Sequence, residues 1–419
     1  MRSCSAIIAL FLVGVGLLGS GGVAATPVGL DYFGLHIHRL GRAQPWLPGG
    51  ERLSKWPSVS FGTWRLWDAY VSWPYLQPER SRWDFSLLDK YLSLARAKQV
   101  KVLMPLGLVP AWASARPQEK SGYAPGNAAP PAEVDDWRRM VRRVVARSKG
   151  RVEAYELWNE VNLRQFYTGS PEQLIELARV MHEEVKRGDP AALVVSPSFT
   201  NGTEGVRALD RYLALGGGDF ADVIAFHFYT PHGAPEAMLV VVAEVRAVMR
   251  AHGIADKPLW NTESGFWIEN KHQPVRSAGL VEGWEVHDEA TAAAFLARAL
   301  IVARHAGIAR FYWYAWDNID MGLTEAGSGE PKLAAQAYAQ TVAWLRGRDL
   351  SCSRETHGLW HCSLDGGQAA VLWAEARDLS WQAPVGVTLG DAIDVLGQPV
   401  SHVDGRLEIG PVPVKVELR

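Results

Sequence analysis

Several things are scarce in this chain of 419 residues, and each scarcity closes off a class of function. It has three cysteines, Cys4, Cys352 and Cys362, too few for a scaffold held mainly by disulfides. It has no excess of charge: 43 Lys and Arg against 45 Asp and Glu leave a net charge of −2, with no basic footprint for nucleic acid and no charged tail. It lacks a His-Glu-x-x-His metal motif, a Walker-type phosphate loop and a Rossmann glycine fingerprint after a strand. Near the N-terminus the apolar run Ala6–Leu18 covers 13 residues, whereas about 20 are needed to span a bilayer.

That run follows Arg2 and precedes the small residues Val23-Ala24-Ala25, so residues 1–25 read as an export signal cleaved after Ala25 rather than as a retained anchor. Cys4 stands before the run, which is the wrong side for a lipoprotein attachment site. Cleavage would leave Cys352 and Cys362, an even pair in a chain bound for an oxidising compartment, and a disulfide between them is expected. The alternative, a redox or metal site shared with His357 and His361, lacks the tight pairwise spacing of a zinc motif. No stable membrane span is expected after signal removal, and localisation is expected to be periplasmic or extracellular.

What the chain does have in quantity is tryptophan, 18 residues, whose indole faces suit the C–H faces of sugar rings but also fill cores. From about residue 30 to 345 a short apolar run, a polar or aromatic cluster and a helical period recur. The runs are Tyr32 to His36, Gly62 to Trp67, Lys101 to Leu106, Val152 to Trp158, Leu193 to Pro197, Val223 to Phe228, Pro258 to Thr262 and Arg310 to Trp316. Apolar strands alternating with helices imply a parallel sheet covered on its outer face, and this count closes a (β/α)₈ TIM barrel over residues 26–346. The clearest helix starts at Ser170-Pro171-Glu172-Gln173, an N-cap serine, a first-turn proline and a capping-box glutamine. Leu174, Leu177, Ala178, Met181 and Val185 follow at helical spacing. After about residue 347 short alternating strands at Ala369 to Ala374, Val385 to Leu389 and Val412 to Leu418 predict a small β-sandwich over 347–419, either a stabilising appendage or a carbohydrate-binding one.

In such barrels the carboxyl ends of the strands carry the chemistry. Tyr155-Glu156-Leu157-Trp158-Asn159-Glu160 ends the fourth run and Leu259-Trp260-Asn261-Thr262-Glu263 ends the seventh, so each presents a glutamate at the mouth. Glycosidic hydrolysis needs one carboxylic acid to protonate the leaving oxygen and one carboxylate acting on the other face of the sugar; in a retaining enzyme they sit about 5 Å apart. The scheme calls for no cofactor and no metal, and its partner is a poly- or oligosaccharide.

With Arg65-Leu66-Trp67-Asp68, Pro110-Ala111-Trp112-Ala113, Ser196-Pro197-Ser198 and Phe311-Tyr312-Trp313-Tyr314-Ala315-Trp316-Asp317-Asn318, these motifs resemble the clan of (β/α)₈ retaining glycosidases. Within it the chain is most similar to glycoside hydrolase family thirty-nine, including endoglycosidases of bacterial exopolysaccharide pathways. The resemblance covers essentially the whole barrel and implies Glu160 as acid/base and Glu263 as nucleophile. It also implies Asn159 on the sugar 2-hydroxyl, where the competing role is a turn residue, and Tyr229 against the nucleophile. His227, two residues before Tyr229, faces the same side if the strand continues. Arg65 would hold the nucleophile ionised or form a structural salt bridge. His36 and Trp112 would touch sugar or pack, Trp316 would stack under the reactive sugar or fill the core, and Asp317 would bind hydroxyls or brace a loop. The expected activity is that of a retaining endo-acting β-glycosidase on a bacterial exopolysaccharide. The alternatives are an exo-acting β-xylosidase-like enzyme and a non-catalytic carbohydrate-binding or polysaccharide-export protein.

Overall fold

A computed structural model describes residues 26–47, 49–271, 284–355 and 357–419. The expected leader 1–25 therefore lies outside the described residues, as do positions 272–283 of the long segment after the seventh strand. Among the described residues no helix is long and apolar enough to cross a membrane.

Eight parallel strands form the central sheet: β1 (Phe33–His36), β2 (Thr63–Arg65), β3 (Lys101–Leu106), β4 (Ala154–Leu157), β5 (Leu193–Val195), β6 (Ile224–Phe226), β7 (Leu259–Ser264) and β8 (Ile308–Trp313). Their order is 5-4-3-2-1-8-7-6, and a parallel bridge between Val195 and Val223 joins the two ends into a closed barrel. Every residue of β1, β2, β4, β6 and β7 is buried, which is why these strands read as continuous apolar runs instead of alternating ones. Helices wrap the outside. The one over Pro171–Gly188 has the capping box its sequence announces, with Ser170 and Gln173 each bonding the other's backbone.

Several strands are shorter than their apolar runs. β4 ends at Leu157, β6 at Phe226 and β8 at Trp313, so Glu160, His227, Tyr229 and Trp316 stand on the loops that leave the barrel mouth. After the barrel comes a five-stranded antiparallel sheet with a two-stranded ribbon, Leu379–Gln382 with Arg406–Ile409, contributing Trp381, Leu407 and Ile409 to its core. Strand Ala369–Ala374 belongs to this sheet: Ala369, Val371 and Trp373 join the main core, while Ala370, Leu372 and Ala374 join the small second core. The expected strand Val385 to Leu389 is displaced. The chain turns at Gly386 (φ 85°), Val385 is fully exposed, and the strand runs instead over Leu389–Asp394. Cys352 and Cys362 face each other across adjacent strands, Cα atoms 3.9 Å apart, and are joined by a disulfide.

Candidate active site

The two glutamates meet at the barrel mouth. Glu160, Glu263 and His227 each place one side-chain oxygen or nitrogen within 4.8 Å of the other two. Glu160 gets there through a tight turn: Trp158 (φ 60°) and Glu160 (φ 42°) both take left-handed backbone. Three hydrogen bonds hold that costly conformation, from Trp158 N to Leu106 O (2.8 Å), Trp158 Nε1 to Phe166 O (2.7 Å) and Glu160 N to Ser198 Oγ (3.0 Å). Gly107 packs tightly against this turn: a Cβ there would meet Trp158 Cα at 3.0 Å.

Arg65, wholly buried, organises the floor of the site. Its Nε donates to Glu156 Oε2 at 2.6 Å, its Nη1 to Glu263 Oε2 at 2.8 Å and its Nη2 to Asn159 Oδ1 at 2.8 Å. The two readings of Arg65 thus coexist in one side chain: it ion-pairs structurally with Glu156 and touches Glu263. With Asn159 Oδ1 accepting from Arg65, the Asn159 amide nitrogen remains a donor. Tyr229 donates its hydroxyl to Glu263 Oε1 at 2.9 Å, and burial together with Glu263 holds that phenol well above its ordinary value, so it stays a donor. His227 Nδ1 lies 2.9 Å from Glu160 Oε1 and 3.7 Å from Glu263 Oε1, and burial pushes its imidazole down to about 4.

Burial is also the main reason both carboxyls are pushed up to about 7. For Glu160, Thr200 and Arg65 oppose the rise and Asp68 adds to it; for Glu263, His227 and Arg65 oppose it, while Glu160 and Asp68 add to it. Two carboxyls this close titrate as a pair, and their hydrogen bonds decide which ionises first. Glu263 accepts from Arg65 and Tyr229, two donors that favour its charged form; Glu160 has the neutral His227 as its neighbour. A divalent cation would find this trio committed, since Arg65 already sits on Glu263 and His227 on Glu160.

The remaining candidates separate. His36 is fully buried with Nε2 3.1 Å from Thr262 O and stacks edge-on with Tyr314, so it supports the site from below. Trp112 is taken up by packing: its indole N–H donates to Gln77 O (2.9 Å), Arg80 covers its ring and Trp73 meets its edge. Asp317 braces a loop, accepting from the backbone N–H groups of His38 and Arg39 and from the Ser54 hydroxyl. Trp316, three residues past the end of β8, is buried in the wall of a cavity of about 450 Å³ with Arg39, Arg52 and Trp56.

Tyr314 places its hydroxyl 2.5 Å from Asp68 Oδ2, while Tyr123 donates to Asp68 Oδ1 at 2.6 Å. Asp68, Tyr123, Trp46, Tyr70 and Tyr75 line a cavity of about 170 Å³, and the Asp68 charge adds to the rise of both Glu160 and Glu263. Asp68, Tyr314, Glu156 and Thr262 all stand within motifs legible in the sequence, but nothing in the sequence gives them a role. Asp68 leaves β2 with φ 55°, a conformation no composition or period announces.

The model of glycosyl hydrolases family 39 matches residues 75–320. A protein of Geobacillus stearothermophilus named β-xylosidase is 26% identical over 242 residues, 52% of this chain and 45% of that one, so the match spans under half of the relative's length. A family 39 glycoside hydrolase from Bacteroides cellulosilyticus WH2 superposes with TM-score 0.69 at 19% identity, covering 94% of this chain and 81% of that one. A monomeric β-xylosidase from Caulobacter crescentus CB15 gives TM-score 0.64 at 17% identity, covering 94% and 97%. At these identities the structural likenesses speak for the fold.

Proposed function

Because the chain belongs to glycosyl hydrolases family 39, we propose that it is a retaining β-glycosidase in which Glu160 is the acid/base and Glu263 the nucleophile. The observation that carries this reading is the approach of Glu160 and Glu263 to within 4.8 Å, near the roughly 5 Å spacing of double displacement and short of the roughly 6.5–9.5 Å that inversion needs. In the first half, Glu263 attacks the anomeric carbon, the glycosidic C–O bond breaks and the Glu160 proton goes to the leaving oxygen. In the second half, Glu160 takes a proton from water, the water oxygen bonds to the anomeric carbon and the ester to Glu263 is released. Asn159 donates its amide to the sugar 2-hydroxyl, and Arg65 and Tyr229 keep Glu263 charged between turnovers.

The substrate is a polymer cut internally, a bacterial exopolysaccharide met outside the cytoplasm after export. In favour of internal cutting, the aromatic cavity around Asp68 holds Trp46 (62% exposed), Tyr75 and Tyr123, surfaces on which further sugar units can lie. The relatives named β-xylosidase favour a second reading, removal of single sugars from chain ends. Product analysis separates the two. Incubated with candidate polysaccharides and oligosaccharides, the protein should release mid-length oligosaccharides of retained anomeric configuration. Monosaccharide alone favours end removal, and inverted product overturns double displacement.

A further inference from the structure

Below the two carboxylates lies a chain of buried polar groups whose hydrogen bonds run in one direction while the His227 imidazole is neutral. It begins at Glu156, fully buried and ion-paired with Arg65 at 2.6 Å through Oε2. Its other oxygen, Oε1, is 2.9 Å from Thr262 Oγ1, and since a carboxylate only accepts, the Thr262 hydroxyl hydrogen points at Glu156. That hydroxyl has a single hydrogen, so toward His227 Nε2, 3.1 Å away, its oxygen must accept and Nε2 must carry a hydrogen. A neutral imidazole protonated at Nε2 has a bare Nδ1, and this nitrogen faces Glu160 Oε1 at 2.9 Å. Two lone pairs at that distance repel, whereas a protonated carboxyl donates.

We infer that Glu156 and Thr262 are positioning residues: they hold His227 as its Nε2–H tautomer and thereby keep the acid proton on Glu160 in the resting protein. The inference rests on the proposed role of Glu160 and extends it to two side chains beneath the reacting carboxyls. The surroundings are consistent with this polarity on every side. From β1, His36 turns its Nε2 to the Thr262 carbonyl; from β2, Arg65 and Asp68 face the pair; from the loop after β6, Tyr229 is spent on Glu263; and on β7, Glu263 lies 3.7 Å from Nδ1 as an acceptor. Among the described residues no other hydrogen-bond partner of His227 Nδ1 is found. In turnover the same polarity serves both halves. Once Glu160 has given up its proton, its carboxylate faces a bare nitrogen, which makes it a stronger base toward the incoming water.

Two measurements test this. In ¹⁵N-histidine NMR of the unliganded wild-type protein at pH 6, with a His227→Gln sample for assignment, His227 should show a protonated Nε2 and a bare Nδ1. A protonated Nδ1 overturns the inference. In Thr262→Val the imidazole is free to adopt the other tautomer and donate to a charged Glu160, so the basic limb of the kcat/KM pH profile should fall by about one pH unit, and Thr262→Ser should restore it. Activity lowered equally at every pH, with the basic limb unmoved, would mean that Thr262 is merely structural. If the valine variant does not fold, the tautomer measured on the wild-type protein still decides. A wild-type protein without turnover would sink the glycosidase reading alone, because the NMR measurement needs no activity.

Discussion

Strand β7, Leu259–Ser264, buries all six of its residues, and four of them are polar: Asn261, Thr262, Glu263 and Ser264. Strand Ala369–Ala374 of the C-terminal sheet also buries all six, and its side chains offer a single polar atom, the Trp373 indole N–H. In the second case burial needs little explanation, since one face meets the barrel core and the other a small core of its own. Even the indole N–H is satisfied, donating to Glu236 Oε1 at 2.8 Å. In the first case every buried polar group must find a partner or be costly, and the partners found are Arg65, Tyr229, His227 and Glu156. Equal burial thus marks packing in one strand and chemistry in the other. What separates them is whether the buried groups are charged and directed at one another.

The sharpest way to break the contrast is to neutralise the charged end of β7. Glu263→Gln keeps the side-chain volume and leaves an oxygen for Tyr229 or Arg65 to donate to, but it removes the attacking carboxylate. Turnover should fall on the order of 10⁴-fold or more, with the fold retained. Steady-state kinetics on the substrate identified by product analysis, beside a circular dichroism spectrum, checks this; a loss under tenfold would remove Glu263 from the nucleophile's role. The matching change in the other strand is Leu372→Ala. Leu372 is fully buried in the second core, so its truncation should cost about 2–5 kcal/mol of stability. Below the unfolding temperature kcat should not change. A large fall in kcat without loss of stability would show that the sheet reaches into the site in a way its contacts do not suggest.

The same contrast explains what was legible in the sequence. Eight apolar runs identify the barrel because β-strands buried on both sides need no polar alternation, and Glu160 and Glu263 stand out because a charge at the end of such a run is conspicuous. Arg65 is legible for the same reason. Glu156 sits in the very motif that gives Glu160, yet nothing local says that it turns inward to Arg65. Its role, like that of Thr262, exists only once the closed barrel brings the ends of β2, β4 and β7 together across its interior. Tyr314 and Asp68 are 246 residues apart, and only ring closure brings the phenol to the carboxylate. The eighth apolar run reaches Trp316, but the strand itself ends three residues earlier, at Trp313. In the C-terminal sheet the alternation is weaker, and the strand expected at Val385 to Leu389 slid past the turn at Gly386.

The smallest expected effect sharpens the comparison most directly, because it asks whether the polar strand ends are held at a cost that the apolar strand does not bear. In the folded protein burial raises the Glu160 carboxyl to about 7, against an ordinary value of 4.5. Between those two values the folded state binds more protons than the unfolded one, so stability falls as pH rises through this window. Above pH 7 the buried charge carries its full cost, on the order of 1–3 kcal/mol. Glu160→Gln has no proton to lose and also relieves the repulsion that helps to raise Glu263. Its Tm should therefore exceed that of the wild type at pH 8, and the gap should close near pH 4. For Leu372→Ala the difference from wild type should stay constant across the same range, since no titrating group is involved. A Glu160→Gln difference as flat as the leucine variant's would mean that Glu160 is solvated in the resting protein, and that its proton is not held by burial.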